Sequence, residues 1–173
     1  MKIAHRKNVL FRDHAWWDSV VNLASGGGGF AHSELIFTNG ESFTSTTQFE
    51  RATLVYPHRA FADPRKNGPL IRRIEFPDWE WAFTELNVTD SEELQVYEWC
   101  RQTIDDSIKA RAGYDWMGVA RFVFKFLKEH PADWFCSESD VAALQTIGYF
   151  KDEKAWTVSP NKLWKLCQQI KPH

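Results

Sequence analysis

A chain of 173 residues, 43% hydrophobic and 25% charged with a formal net charge of −2, is long enough to bury the core of one domain. Its charge is too balanced for an overall field to draw it onto nucleic acid or an anionic membrane. Nine Trp and thirteen Phe argue against disorder, and three cysteines, at 100, 136 and 167, form no disulfide framework. With no CxxC and no HExxH, neither a metal nor another cofactor is expected.

The N-terminal "MKIAHRKNVLFRDHAWW" has no long apolar core after its basic residues, so neither a signal peptide nor a membrane span is read from it and the expected location is cytoplasmic. "WDSVVNLAS" predicts a short helix capped by Asp18. The glycine run 26–29 lacks the GK[ST] of a phosphate loop and the spacing of a dinucleotide fingerprint, and it reads as a flexible connection beside a cleft. "FAHSELIF", "TNG" and "ESFTST" predict a β-hairpin turning at Asn39-Gly40. Further strands are expected at "ATLVYP", "LIRRIEF" and "EWAFTEL", with "PHRAFADPRKNGP" as loop. The arginines and lysine between Arg51 and Arg73 read as a solvated basic segment.

Thr89 and Glu92 have capping-box spacing, and Leu94, Tyr97, Cys100, Ile104 and Ile108 follow as a helical stripe that makes Cys100 a core residue. "DWMGVARFVFKFL", residues 115–127, is apolar around most of its circumference and predicts a buried helix too short to cross a bilayer. "CSESDVAALQTIG" predicts a helix opening at Cys136 and closing at Gly148. "SPN" caps a last helix whose buried face includes Leu163, Leu166, Cys167 and Ile170. The expected class is α+β: one domain over residues 1–173, an antiparallel sheet packed against helices.

Cys136 differs from the other two cysteines in position. Free amides and the positive end of the helix dipole favour a thiolate at a helix start, and the same amides can hold an oxyanion formed when that thiolate attacks a carbonyl. Such a thiol works with a base near neutral pKa, a histidine. His5, His14 and His173 lie near the termini, His58 in a proline-rich loop and His130 in a polar turn, which leaves His32, opening the hairpin strand after the glycine run. Alternation puts His32, Glu34 and Ile36 on one face. With a three-residue turn Thr44 lies across from Glu34 and Thr46 across from His32; with a two-residue turn Ser45 and Thr47 take those places. The group that orients the imidazole therefore stays open among Glu34, Thr44 and neighbouring hydroxyls.

"HSELIFTNGESFTS", "GYDWMG", "WFCSESDVAAL" and "VSPNKLW", in that order, resemble the circularly permuted branch of the NlpC-type, papain-like cysteine peptidases. That group includes relatives of lecithin:retinol acyltransferase and many small bacterial and phage-encoded proteins. The resemblance runs from about residue 18 to residue 166, and its most specific pieces are "FCSE" and the histidine at the start of a hairpin strand. It implies a permuted papain-like fold with Cys136 as nucleophile and His32 as base. Its third polar residue falls twelve positions after the histidine, at Thr44, where the family commonly carries Glu or His, and Glu34 is the substitute. Tyr114, Asp115 and Trp134 would line the substrate site.

The function implied is a hydrolase that cleaves an amide, peptide or ester bond through a thioester, without cofactor, on a peptide or amide that includes cell-wall material. A phage-encoded member would act in the virion or the host cell. Two rivals stand beside it: an acyltransferase that passes the thioester to an amine or lipid, and an inactive binding module that uses Trp16, Trp17, Trp79 and Trp81 as a contact surface.

Overall fold

The computed structural model describes residues 1–7, 29–47, 67–110 and 134–170. The helix expected from Asp18, the strand at 52–57, most of the glycine run and the apolar stretch 115–127 lie outside the described residues. What is described is α+β: a five-stranded antiparallel sheet with helices.

The chain begins with a strand that sequence reading missed. β1 (Lys2–Lys7) pairs with β2 (Phe30–Ile36) on one side and β5 (Trp81–Glu85) on the other. β3 (Ser42–Thr47) and β4 (Asn67–Arg72) complete the spatial order β4-β3-β2-β1-β5. As a central strand, β1 is buried from Ile3 through Arg6, so both faces are covered and its "KIAHRK" shows no clean apolar alternation. β4 starts earlier than expected, at Asn67, within a segment read as loop. Pro69 pairs there with Ser45, which the sheet tolerates because β4 is an edge strand with no ladder on its other side among the described residues.

The β2–β3 hairpin turns over three residues. Phe37 N–H donates to the Glu41 carbonyl at 2.9 Å and Gly40 N–H to the Phe37 carbonyl at 3.0 Å. Gly40 sits at φ +80°, the left-handed position such a turn reserves for glycine. The ladder pairs Ile36 with Ser42 and Leu35 with Phe43, a phase that continues to Glu34 opposite Thr44. At that point a side chain takes over from the backbone, as Thr44 Oγ1 donates to the Ser33 carbonyl at 3.0 Å.

One face of the sheet carries Ile3, Leu35, Phe43 and Ile71 in one register row, and the helices cover it. Burying Leu35 and Phe43 contributes about 1.5–3 kcal/mol each. α1 (Asp90–Ala110) opens with the expected box: Thr89 N–H donates to Glu92 Oε2 at 2.8 Å and Glu92 N–H to Thr89 Oγ1 at 3.3 Å. Its buried stripe is rotated from the expected one. Val96, Cys100, Thr103 and Ser107 face inward, while Leu94 is 56% and Ile108 55% exposed. Two small polar residues on the inner side set the rotation, which hydrophobicity alone did not reveal. α2 (Cys136–Gln145) ends in a Schellman closure, with Tyr149 N–H donating to the Leu144 carbonyl at 3.1 Å and Gly148 at φ +96°. α3 (Pro160–Cys167) is capped by Ser159, whose side chain accepts from Lys162 N–H, with Pro160 in the first turn. None of the described helices is long and apolar enough to cross a membrane.

Candidate active site

α2 is buried along its first turns, from Cys136 through Val141, and the hydroxyls of Ser137 and Ser139 in this stretch find backbone acceptors. Ser137 donates to the Val158 carbonyl at 2.6 Å and Ser139 to the Cys136 carbonyl at 2.8 Å. The first intrahelical bond runs from Ser139 N–H to the Phe135 carbonyl at 3.1 Å, so the amides of Cys136, Ser137 and Glu138 precede the ladder. Ser45 of β3 donates to the Trp134 carbonyl at 2.6 Å and ties the start of the helix to the sheet.

That tie delivers Cys136 to His32. Cys136 acts on the His32 ring through charge and hydrogen bonding, and both residues are buried. His32 Nε2 lies 3.3 Å from Glu34 Oε1 and 3.3 Å from Thr44 Oγ1. The Thr44 hydroxyl spends its proton on the Ser33 carbonyl and so faces the ring as an acceptor. Two acceptors on Nε2 assign a proton to that nitrogen, so Nδ1 is the ring nitrogen whose protonation can change. Trp81 stands edge-on to the ring, centroids 6.1 Å apart.

Glu34 is the most heavily held group of the site. It is fully buried, its Oε1 also accepts from Arg72 Nη2, and its Oε2 accepts from Ser42 Oγ at 2.8 Å. Burial alone would raise its pKa, but the hydrogen bond and charge of His32, followed by the charge and hydrogen bond of Arg72, bring it below the ordinary carboxylate value. His32 follows the same logic with opposite sign. Burial would depress it, and the negative charge and hydrogen bond of Cys136, then those of Glu34, overcome this and raise it to about 10. Burial holds the Cys100 thiol well above the ordinary thiol range and pushes Cys167 up to about 12.

Four of the expected residues, Cys136, His32, Glu34 and Thr44, therefore meet. Trp134 stands two residues before the cysteine, its ring edge-on to Trp99 at 5.6 Å. Tyr114 and Asp115 lie outside the described residues, as do Trp16 and Trp17 of the aromatic surface. Within that surface Trp79 is 60% exposed, but Trp81 is buried against His32 and Phe76 and is no part of a contact face.

Sequence reading missed three residues at or behind the site. Arg72, expected in a strand but as part of a solvated basic segment, does end β4 but is ion-paired to Glu34. Ser42 is its partner in register. Both needed the β3–β4 pairing, which no local pattern announces. Asp140, one turn after Cys136, was legible from helical spacing. It is fully buried with no hydrogen-bond partner on either carboxyl oxygen among the described residues, and the Ser33 hydroxyl nearest to it is equally unpaired. Burial drives its pKa well above the ordinary carboxylate value, only partly offset by Ser33 and the charge of His32, and so favours its neutral form.

In comparisons with known proteins, no family model matches the chain, and no curated protein or solved structure matches it significantly.

Proposed function

We propose that this protein is a cysteine-dependent hydrolase of the permuted papain-like kind, acting on an amide, peptide or ester through a thioester at Cys136. The observation that carries this reading is the buried His32, whose ring is held by the buried Glu34 carboxylate and whose electrostatics are coupled to Cys136 at the start of α2. A histidine strand that precedes a cysteine helix also suits the permuted order.

In this reading the His32 imidazolium holds Cys136 as thiolate, because a neighbouring positive charge and a helix start both favour that form. The thiolate sulfur attacks the carbonyl carbon, and the oxyanion is held by amides at the start of α2. His32 Nδ1–H then protonates the leaving amine or alkoxide as the C–N or C–O bond breaks. In the second half the neutral imidazole takes a proton from water, whose oxygen attacks the thioester, and the carboxylic acid leaves with the thiolate restored. Glu34 and Thr44 keep the ring oriented throughout by accepting from Nε2–H. A peptide or isopeptide, cell-wall material included, is the proposed substrate class. An amine or lipid acceptor in place of water would turn the same intermediate into acyl transfer.

Iodoacetamide alkylation followed by peptide mass spectrometry tests the reading. Cys100, Cys136 and Cys167 are all buried to within 3% exposure, so the two core thiols serve as internal references of similar burial in the same digest. Cys136 is expected to label at least about tenfold faster than the others at about pH 6. Equal rates for all three would sink the proposal and leave a binding module.

A further inference from the structure

We infer that Arg72 is a positioning residue of this site: paired with the Glu34 carboxylate, it makes Glu34, rather than Thr44, the group that holds the His32 imidazolium against Cys136. The inference rests on the Cys136–His32 reading above and adds a fourth element, the edge strand β4, to what the site requires.

Glu34 Oε1 is shared between His32 Nε2 and Arg72 Nη2, and Oε2 is taken by Ser42 Oγ. Ser42 and Arg72 face each other across the β3–β4 ladder, and Ser42 Oγ also lies 3.4 Å from the Arg72 carbonyl. The arginine is thus delivered to Glu34 by strand register rather than by a loose surface contact. Its side chain is 23% exposed, against none for Glu34.

Charge balance gives the arrangement its purpose. A thiolate at Cys136, an imidazolium at His32 and a carboxylate at Glu34 sum to −1, and an uncompensated charge in a buried site is relieved by taking up a proton. Adding the Arg72 guanidinium brings the sum to zero, so neither the thiolate nor the carboxylate has to be discharged. The other ionisable groups that face the site leave this balance unchanged. Arg6, across from His32 on β1, is paired with Glu80 at 3.5 Å, and burial of Asp140 on α2 favours its neutral form. Thr44 accepts from Nε2 as Glu34 does, but it brings no charge.

A double-mutant cycle decides the matter. The rate of Cys136 alkylation at about pH 6 is measured in the native protein, Arg72→Met, Glu34→Gln and the double variant. Arg72→Met and Glu34→Gln are each expected to slow labelling by about tenfold, one pKa unit of lost ion pairing. The double variant should be no slower than Glu34→Gln alone, because Arg72 acts only through Glu34. Arg72→Lys, which restores the charge without the fork, should recover part of the rate. Native-like labelling in Arg72→Met, or losses that multiply in the double variant, would overturn the inference while leaving the nucleophile reading intact. If Arg72→Met strands Glu34 and does not fold, Glu34→Gln and the double variant still decide it: equal rates support the inference and a slower double variant refutes it. A native Cys136 no more reactive than Cys100 and Cys167 would instead remove the site itself, and this inference with it.

Discussion

His5 and His32 stand on neighbouring central strands of one sheet, both buried, and their chemistry is opposite. His5 pairs in register with Ser33, one residue along β2 from His32, so the two rings project from opposite faces. On the core face, His5 meets the rings of Phe30 and Trp164, has Thr84 Oγ1 at 3.3 Å from Nε2, and leaves Nδ1 without a partner among the described residues. Desolvation lowers its pKa to about 3. His32 feels the same desolvation, yet negative partners at Cys136 and Glu34 raise it to about 10. Burial by itself therefore removes a histidine's charge, and only placed counter-charges restore it. Neither proximity to a terminus nor depth in the core sets the two histidines apart here; the partners do.

Removing the imidazole breaks the comparison outright. His32→Ala is expected to slow Cys136 alkylation at about pH 6 by about two orders of magnitude, since the thiol loses its cationic neighbour. Cys100 and Cys167, measured in the same digest, should be unaffected. A change of less than about twofold at Cys136 would mean that the ring does not activate it.

The core histidine is tested through stability. A histidine whose folded pKa lies below its unfolded value binds more protons unfolded, so stability is lost as pH falls below the ordinary value of 6.5 toward about 3. Urea unfolding should show the native protein losing about 2 kcal/mol between about pH 6 and about pH 4.5 through this group. His5→Leu should lack that component. His32 has the reverse sign: its contribution is complete below 6.5 and is lost as pH rises through about 10. An acid limb that survives in His5→Leu would show that His5 is not the group responsible.

Asp140 sharpens the contrast between satisfied and orphaned groups. A carboxyl whose folded pKa is raised binds its proton only when folded, which costs stability from about pH 4 upward. Asp140→Asn keeps the shape of the neutral acid without that proton, and should stabilise the protein by about 1 kcal/mol at about pH 7. The gain should vanish toward about pH 3. Destabilisation at neutral pH would reveal a partner for the ionised carboxylate. The smallest effect belongs to Thr44→Val, which removes one of two acceptors on Nε2 and should slow Cys136 alkylation only about threefold, because Glu34 still holds the ring. A loss as large as that of Glu34→Gln would make the two acceptors equal partners.

The chain's local chemistry made several parts legible before any fold was known. Asn39-Gly40 announced the hairpin, Thr89 and Glu92 the start of α1, Pro160 and Ser159 the start of α3, and Gly148 the end of α2. These are decided by backbone preference and by bonds spanning a few residues. Cys136 at a helix start and His32 with Glu34 on one strand face were legible for the same reason, since helix and strand periods act within the segment. Tertiary structure alone decided what depends on pairing between distant segments. β1 lies between β2 and β5 although it opens the chain, and its two-sided burial erased the alternation by which strands are read. Arg72 reached Glu34 through the β3–β4 register, and His5 acquired its apolar cage from β2 and α3. Charge pairs and desolvation act through space, so the sequence by itself named the candidate side chains, while only the assembled sheet determined which of them meet a counter-charge.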